Sequence, residues 1–368
     1  MPRLMFDDED GTLGLLRQSV EGFAADFPGP ARMRARRAAG ADLDRALWSA
    51  MAEAGWLGLG IPEDMGGAGL GAREQAVLSE ALGRQLIGEP LAFLAVFSGA
   101  LLAAADPGPL ATRLVEGLID GSLIISPAMQ DQTGQLTPIC AKGGVLNGTA
   151  HYVNAAASAD EFLVFARDET GLLLLALPAS AATVSLRPTL DGAQLGKVVI
   201  ADVTLDGSRV LLRGDAVAAA VDDALQSTRL ALAAEMAGIA SAELEITVAH
   251  ACGRVQFGKP IVAFQALQHR MVDMWADAEF ACAAVVNACE RLAGPDARAA
   301  RLAILAAKAR AGDGAVTIGR RAIHLHGAMG FTDECDIGHF MKRATALNAA
   351  LGQPEALRLE FVALERAA

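Results

Sequence analysis

The sequence has no run of lysine or arginine and no apolar run long enough to cross a membrane. Its 368 residues include 31 Lys and Arg against 43 Asp and Glu, a formal net charge of −12, so no basic surface for nucleic acid is indicated. The longest apolar stretch, roughly residues 91–105, is shorter than the about 20 residues of a membrane span. We therefore expect no nucleic-acid partner and no membrane insertion, and we interpret this stretch as a buried helix.

Cysteine is scarce as well. The five cysteines are odd in number and widely spaced, which favours reduced thiols in a cytoplasmic protein over a disulfide framework. The first ten residues contain four acidic side chains and no apolar core, so a secretory signal peptide is not expected. His324, His326 and His339 with Cys335 do not have metal-ligand spacing, so we expect no metal site. Neither a P-loop, a Rossmann fingerprint nor a nucleophile elbow occurs.

The residues that are present predict a large α+β protein with several domains. At 368 residues the chain is too long for one simple core, and 53% apolar against 20% charged residues leaves apolar surface for partner subunits to cover. Helical spacing such as Leu43, Leu47, Met51 and Ala54 predicts a helical domain over residues 1–122. Short alternating runs such as LIISPAM and EFLVFA predict a strand-rich, antiparallel, barrel-like domain over residues 123–215.

Helical periodicity returns over residues 216–368. Leu230, Ala234, Leu244 and Val248 mark one face of a long helix, and four further helices are predicted at about residues 264–292, 297–324, 338–351 and 354–366. Small residues on the first helix leave room for a bulky ligand or allow close helix packing, and we favour close packing. A cleft between such domains is a usual place for a cofactor.

One segment carries most of the chemistry: Arg254-Val-Gln-Phe-Gly-Lys-Pro-Ile-Val-Ala-Phe-Gln265. It follows a long helix, and Gly258 and Pro260 force a turn. A guanidinium beside an aromatic ring suits a dinucleotide, because the guanidinium forks onto pyrophosphate oxygens and the ring packs on a flat base. On spacing alone, a helix-loop-helix turn with solvated charges is an equal alternative.

The segment resembles the flavin-binding signature of the acyl-CoA dehydrogenase family, and two further motifs extend the resemblance over nearly the whole chain. Trp56-Leu-Gly-Leu-Gly-Ile-Pro-Glu-Asp-Met-Gly-Gly-Ala-Gly resembles the family's early turn. His326-Gly-Ala-Met-Gly-Phe-Thr-Asp-Glu, followed by Met341-Lys-Arg-Ala, resembles its glycine-rich turn and closing helix. The resemblance implies an N-terminal helical domain, a middle β-barrel-like domain and a C-terminal four-helix bundle, in a tetramer that binds FAD across a subunit interface.

The resemblance also implies which residues contact FAD. Those toward a neighbouring subunit's FAD are Arg254, Gln256, Phe257, Gln265, His324, Gly327 and Gly330. Those toward the flavin ring are Met129, Gln130, Tyr152 and Asn154. The ring segments depart from the family pattern, and His324 and Ala328 replace its usual glutamine and second glycine. Ordinary strand positions for the ring set, and a positive φ as the sole reason for Gly327, remain open alternatives.

The family removes a proton from the carbon α to a thioester with a glutamate base, and both family positions for it are empty here. One is Leu351 and the other is Thr228, before Arg229. Leucine has no lone pair, and a threonine hydroxyl is too weak a base without an activating partner. Four other carboxylates lie close in sequence, and solvation or helix capping is favoured for each: Asp222, Asp223, Glu235 and Glu355.

A base-lacking chain resembles one subunit of the bacterial α2β2 acyl-CoA dehydrogenases that shorten sterol side chains. We therefore expect a subunit that supplies half of an FAD site to a homologous partner and no catalytic base, acting on an acyl-CoA such as a steroid or other bulky thioester. Three alternatives stay open: a self-sufficient homo-oligomeric dehydrogenase with an unusually placed base, a flavin oxidase or monooxygenase on the same fold, and a scaffold subunit without flavin.

Overall fold

The computed structural model describes residues 1–367, which form two compact units, each built from several stretches of the chain. The first unit comprises residues 1–35, 72–88 and 229–368, and the second comprises residues 36–71 and 89–228. Because these units are discontinuous in sequence, the predicted domain boundaries at residues 122 and 215 remain a prediction.

Helices form the N-terminal and C-terminal parts of the chain, on either side of the strands in sequence. They are α1 Thr12–Asp26, α2 Gly29–Ala39, α3 Arg45–Glu53, α4 Ala72–Arg84, α5 Ser98–Ala103, α6 Pro109–Ile119, α7 Asp215–Gly253, α8 Gln265–Leu292, α9 Ala297–His326, α10 Ile337–Ala349 and α11 Pro354–Arg366. A π-helical turn, Ala92–Phe97, precedes α5, so the apolar stretch near residues 91–105 is helical and largely buried, as predicted. Within the described chain, residues 1–367, none of these helices combines the length and apolar character that a membrane span needs.

The C-terminal helices begin and end where local sequence signals place them. The Asp296 carboxylate caps α9 by accepting a hydrogen bond from the Ala299 amide at 2.9 Å, and α11 begins at Pro354. Helix α9 packs against α8, α10 and α11, which confirms a C-terminal helical domain.

Helices α4 and α7 cross in the first unit at two glycines. A Cβ on Gly238 would lie 2.0 Å from the carbonyl oxygen of Glu80, and a Cβ on Gly83 would lie 2.1 Å from that of Glu235. At this crossing the small residue therefore serves close helix packing rather than space for a ligand.

The second unit contains the eight-stranded sheet. Its strands are β1 Ile125–Ala128, β2 Ile139–Lys142, β3 Val145–Asn154, β4 Glu161–Arg167, β5 Leu172–Pro178, β6 Thr183–Pro188, β7 Gln194–Thr204 and β8 Val210–Arg213. The order is β6-β7-β3-β2-β4-β5-β8, with β1 paired to β4. Strand β4 is buried along nearly its whole length and shares an apolar core with β3, β5 and β7, where Phe162, Val164, Leu175 and Ile200 are almost inaccessible.

The predicted antiparallel domain is observed for most strand pairs, but β4 departs from it by pairing in parallel with both β1 and β2. The reason is the path of the chain. It reverses between β2 and β3 and again between β3 and β4, so β4 runs in the same direction as β2. Two short strands outside this sheet, β9 Val255–Gln256 and β10 Lys259–Pro260, form a separate ribbon.

Candidate functional site

The Arg254 segment forms an exposed loop at the end of α7. Phe257 lies at the turn of the β9–β10 ribbon with a φ of 55° and is 90% exposed. Its ring meets the edge of Phe264 at a centroid distance of 6.0 Å, and the Lys259 ammonium lies 4.4 Å from the centre of the Phe264 ring. This packing fixes the base of the loop and leaves the Phe257 face open to solvent.

Arg254 is also exposed, and its guanidinium makes no hydrogen bond or ion pair within residues 1–367. Its backbone is anchored, because its amide donates to the His250 carbonyl and its carbonyl accepts from the Ile261 amide. The Gln256 amide group donates to the carbonyl of Val255 beside it at 2.8 Å. Arg254 therefore combines a fixed backbone with five uncommitted N–H donors, which suits an anionic ligand.

The glycine turn Gly327–Phe331 follows α9 directly. Gly327 has a φ of 66°, and a Cβ placed on it would touch nothing within 4 Å, so backbone conformation alone accounts for this glycine. A Cβ on Gly330 would lie 2.7 Å from the carbonyl oxygen of Ile323, so Gly330 lets the turn fold back onto α9. Backbone conformation and packing within this chain therefore account for both glycines without a ligand.

In the first unit, two histidine contacts join the helix ends that carry the predicted cofactor-binding residues. The ring of His326, at the end of α9, stacks on His250 near the end of α7 at a centroid distance of 4.2 Å. Partial burial, and then the neighbouring His326 and Arg254, lower the pKa of His250. Arg270 of α8 hydrogen-bonds His324 of α9 at 3.1 Å. The ends of α7 and α9 and the start of α8 at Gln265 therefore meet.

In the second unit, hydrogen bonds join the two segments that carry Gln130 and Tyr152, which are predicted to face the flavin ring. The His151 amide donates to the Gln130 carbonyl at 2.8 Å, and the Tyr152 hydroxyl donates to the Gln132 carbonyl at 2.9 Å. The Gln130 side-chain amide donates to the Gly134 carbonyl at 2.8 Å. Asn154 ends β3 opposite Leu195. Some of the polar groups that could hydrogen-bond the edge of a flavin are therefore already hydrogen-bonded within the protein.

The Asp131 carboxylate holds the loop after Met129 together through several hydrogen bonds. Asp131 accepts hydrogen bonds from the amides of Thr133 at 2.8 Å and Gln135 at 3.1 Å, and from the Thr137 hydroxyl at 3.1 Å. The hydrogen bond from the Thr133 hydroxyl is the largest of the effects that lower the pKa of Asp131. Met129 itself is buried. Several amides of this loop are therefore satisfied within the loop itself.

Backbone strain concentrates in the segments singled out from the sequence. Six non-glycine residues of the described chain have a positive φ, and four of them lie in or directly after those segments: Tyr152, Ala155, Phe257 and Leu351. Such conformations cost on the order of 1–3 kcal/mol each and persist only where the surroundings enforce them. Just after Ala155, the Asp42 carboxylate accepts hydrogen bonds from the Ala157 amide and the Ser158 hydroxyl, both at 2.7 Å.

Neither expected base position offers a proton acceptor. Leu351 is 6% exposed with a φ of 52°, and its carbonyl accepts a hydrogen bond from Arg229 Nε at 3.0 Å. Thr228 is fully buried, and its hydroxyl donates to the Ala224 carbonyl at 2.7 Å. That hydroxyl is committed to its own helix, which leaves the threonine without a catalytic role as a base.

A buried lysine supports the turn that carries Leu351. Lys308 Nζ lies 3.1 Å from the Leu347 carbonyl, 3.5 Å from the Asn348 carbonyl and 3.4 Å from the Gly352 carbonyl. Burial, and then the Arg229 charge, lower the pKa of Lys308 to about 7. The sequence contained a signal that was missed, because Lys308 interrupts the apolar spacing of Ile304, Ala311 and Ala315 on α9.

Two carboxylates of the first unit are held by arginines. Glu235 of α7 is buried and bonds Arg343 Nε at 2.8 Å. Glu360 of α11 accepts from Arg229 at 3.0 Å and from Arg301 at 3.1 Å. Burial acts to raise the pKa of Glu360, but these two arginines hold it below its ordinary value. Neither carboxylate is a free base, and Glu360 escaped sequence analysis because its partners lie 59 and 131 residues away.

The other candidates from the sequence differ in their surroundings. Asp222 accepts from the Gln226 side chain at 3.2 Å, and Glu355 is exposed in the first turn of α11. Partial burial, and then the Asp222 charge, raise the pKa of Asp223. Glu243 was not a candidate, yet it is fully buried with no hydrogen-bond partner for either oxygen, and burial raises its pKa well above the ordinary value. It lies against Gly319 and Met341 in the helical core.

Among residues 1–367, no cluster of three or more histidine, cysteine, aspartate or glutamate side chains is arranged to hold a metal ion. All five cysteines are free thiols, and burial raises the pKa of Cys282 and of Cys289 to about 12. Both buried thiols are therefore protonated and unreactive at neutral pH.

Two family models match the sequence. The acyl-CoA dehydrogenase N-terminal domain matches residues 12–105, and the acyl-CoA dehydrogenase C-terminal domain matches residues 218–363. The acyl-CoA dehydrogenase IpdE2 of Mycobacterium tuberculosis is 32% identical over 351 residues, which cover 94% of this chain and 94% of that protein.

Solved structures show the same fold. The ChsE4-ChsE5 complex from Mycobacterium tuberculosis matches with a TM-score of 0.87 at 24% identity, covering 97% of each chain. The Tcur3481-Tcur3483 steroid ACAD matches with a TM-score of 0.85 at 27% identity, covering 96% of this chain and 98% of the other. The arrangement of helical, β and helical domains is therefore confirmed.

Proposed function

Because the chain belongs to the acyl-CoA dehydrogenase family, we propose that it is a subunit of a heteromeric dehydrogenase that supplies half of an FAD site and no catalytic base. The family comprises FAD-dependent oxidoreductases that act on CH–CH bonds, in which FAD accepts the hydride. The proposed substrate is a bulky acyl-CoA such as a steroid thioester, supported by the steroid ACAD among its structural neighbours.

The observation that carries this proposal is the absence of a usable base at both family positions. Leu351 cannot accept a proton, and the Thr228 hydroxyl donates to its own helix. Glu360, whose partner Arg229 also bonds the Leu351 carbonyl, is held by Arg229 and Arg301. An ion-paired carboxylate is a weak base, because accepting a proton would break its pairing with the guanidinium.

The residues present fit one half of FAD better than the other. At the end of the first unit, Arg254 offers an uncommitted guanidinium and Phe257 an exposed ring, which suit the diphosphate and adenosine of a dinucleotide. In the second unit, Gln130 and Tyr152 use their side-chain donors within the protein. We therefore assign Arg254, Phe257 and Gln265 to a neighbouring subunit's FAD, where they bind and orient the cofactor.

The exposed apolar surface supports a protein partner. Between residues 255 and 331, eight large apolar side chains are exposed: Val255, Phe257, Val272, Trp275, Phe280, Leu292, Met329 and Phe331. Several of these line the outer face of α8 and the loops at its start, next to the proposed half-site. We propose that a homologous subunit covers this surface. The five free thiols fit assembly in a reducing compartment such as the cytoplasm.

Co-expression tests the proposal. Produced alone, the chain is expected to bind little FAD and to show no reduction of flavin by a CoA thioester. Produced with a homologous subunit that has the family glutamate, it is expected to yield a yellow, active complex. Arg254→Ala in that complex should weaken FAD binding, whereas Arg291→Ala, at the opposite end of α8, is the matched control. Full turnover by the chain alone would overturn the proposal.

One observation favours a second candidate, a self-sufficient dehydrogenase. Asp223 is a carboxylate with a raised pKa and no arginine partner among the described contacts, which are properties of a general base. If the chain alone turns over, Asp223→Asn should abolish the reaction and Asp222→Asn should leave most of it. Loss of activity in neither variant would exclude Asp223 as the base.

A further inference from the structure

A contact between α8 and α9 fixes the chemical state of His324. Nη1 of Arg270 lies 3.1 Å from Nδ1 of His324. A guanidinium has only N–H donors and no acceptor, so Nδ1 must present its lone pair to Arg270. In the neutral imidazole the proton is then on Nε2. Arg270 thus selects the tautomer in which Nε2–H is the one donor of this exposed ring.

We propose that Arg270 is a positioning residue that makes His324 Nε2–H a hydrogen-bond donor to the dinucleotide held by the donated half-site. This inference rests on the proposed function. His324 stands where the family resemblance expects glutamine, whose side-chain amide is also a donor. An imidazole held in the Nε2–H tautomer keeps that donor, whereas the other tautomer would present a lone pair toward an anionic cofactor and repel it.

The neighbouring His326 has the opposite tautomer. Its Nδ1 lies 2.8 Å from the Ala322 carbonyl, which only accepts, so Nδ1 of His326 carries the proton. His326 is buried in the stack with His250, whereas His324 is exposed. The two histidines of one helix end therefore differ in proton position because their Nδ1 partners differ, and His326 serves as an internal reference for an experiment.

Matched substitutions test the proposal through the dissociation constant of FAD from the assembled complex. In His324→Gln the amide nitrogen reaches about the Nε2 position and keeps the donor, whereas in His324→Asn the shorter amide matches Nδ1 and lacks it. We expect His324→Asn to weaken FAD binding about tenfold, the effect of one lost hydrogen bond to a charged group. Arg270→Met should weaken it only about twofold, because a mixture of tautomers leaves about half of the His324 rings with the proton on Nε2. His324→Gln and Arg270→Lys, which retain the required donors, should bind as tightly as the wild type.

The double variant gives the sharper result. If Arg270 acts through the His324 ring, Arg270→Met should have no further effect in the His324→Gln background. An equal loss in both backgrounds, or wild-type binding by His324→Asn, would overturn the inference. Arg254→Ala separates it from the proposed function: if that variant also binds FAD normally, the half-site itself is refuted.

A direct readout does not depend on FAD. In the complex with [15N]histidine in this chain, long-range 15N–1H correlations should place the His324 proton on Nε2 and the His326 proton on Nδ1. Arg270→Met should convert His324 to a mixture of tautomers and leave His326 unchanged. A His324 proton already on Nδ1 in the wild type would overturn the inference whatever the binding data show.

Discussion

Replacing Lys308 with methionine tests how the turn at residues 350–352 is supported. The wild-type ammonium is fully buried and faces the carbonyls of Leu347, Asn348 and Gly352. Burial lowers its pKa from 10.5 to about 7. Methionine fills a similar volume without a charge, so the variant removes the titration while keeping most of the packing.

The direction of the pH dependence of stability follows from the number of protons that the folded and unfolded states bind. Between pH 7 and pH 10.5 the unfolded lysine holds a proton that the folded lysine has lost, so the free energy of unfolding rises with pH across that window. The slope is up to about 1.4 kcal/mol per pH unit, or about 5 kcal/mol over the whole window. Below pH 7 both states are protonated, and Lys308 contributes no further pH dependence.

The assay is the melting temperature of the wild type and of Lys308→Met between pH 6 and pH 10. The wild type should gain several degrees relative to the variant as the pH rises, because a few kcal/mol moves the melting temperature of a large domain by that much. Lys308→Arg, which stays charged, is the control and should be destabilised at every pH. Parallel wild-type and methionine profiles would refute the reasoning and show that the three carbonyls keep the lysine protonated.

Three further perturbations follow from the helical core. Glu243→Gln should remove a fall in stability with rising pH above about 4.5, because the folded carboxyl stays protonated when the unfolded one ionises; identical melting profiles for both proteins would contradict this. Arg343→Met should cost about 3–5 kcal/mol by removing the guanidinium that hydrogen-bonds the buried Glu235 carboxylate, and adding Glu235→Met should recover most of it, as measured by urea unfolding. Gly238→Ala should lower the melting temperature through an overlap costing on the order of 1–3 kcal/mol, whereas Gly253→Ala, where a Cβ meets nothing within 4 Å, should not.

The fold was predictable to the extent that its signals are local. Apolar spacing and the flanking Gly, Pro and Asp residues placed α8 to α11 close to their observed bounds. Alternation placed the strands of the sheet, but not their pairing. The parallel pairing of β1 and β2 with β4 depends on where β3 reverses and returns, which no strand encodes in its own residues.

The candidate site, like the fold, was predictable only where its residues lie close together in sequence. The Arg254 segment could be singled out because its predicted role depends on residues adjacent in sequence, and the structure shows its guanidinium uncommitted and Phe257 exposed. The network around Leu351 could not be found, because Arg229, Lys308 and Glu360 come from three helices far apart in sequence. Only the interruption of an apolar stripe at Lys308 hinted that a charge was buried there.

The strained turn at Leu351 bears on what this chain does. A leucine in the left-handed region costs about 1 kcal/mol or more, and here Arg229 and Lys308 hold the adjoining carbonyls in place. Both side chains are buried, and each hydrogen-bonds a carbonyl of this turn, so the strained conformation is firmly supported. Under the proposed function, the position of Leu351 needs no carboxylate, and the rigid turn would serve contact with another subunit. The proposed interaction is the one that a partner subunit needs, in which a rigid surface matters and a carboxylate does not.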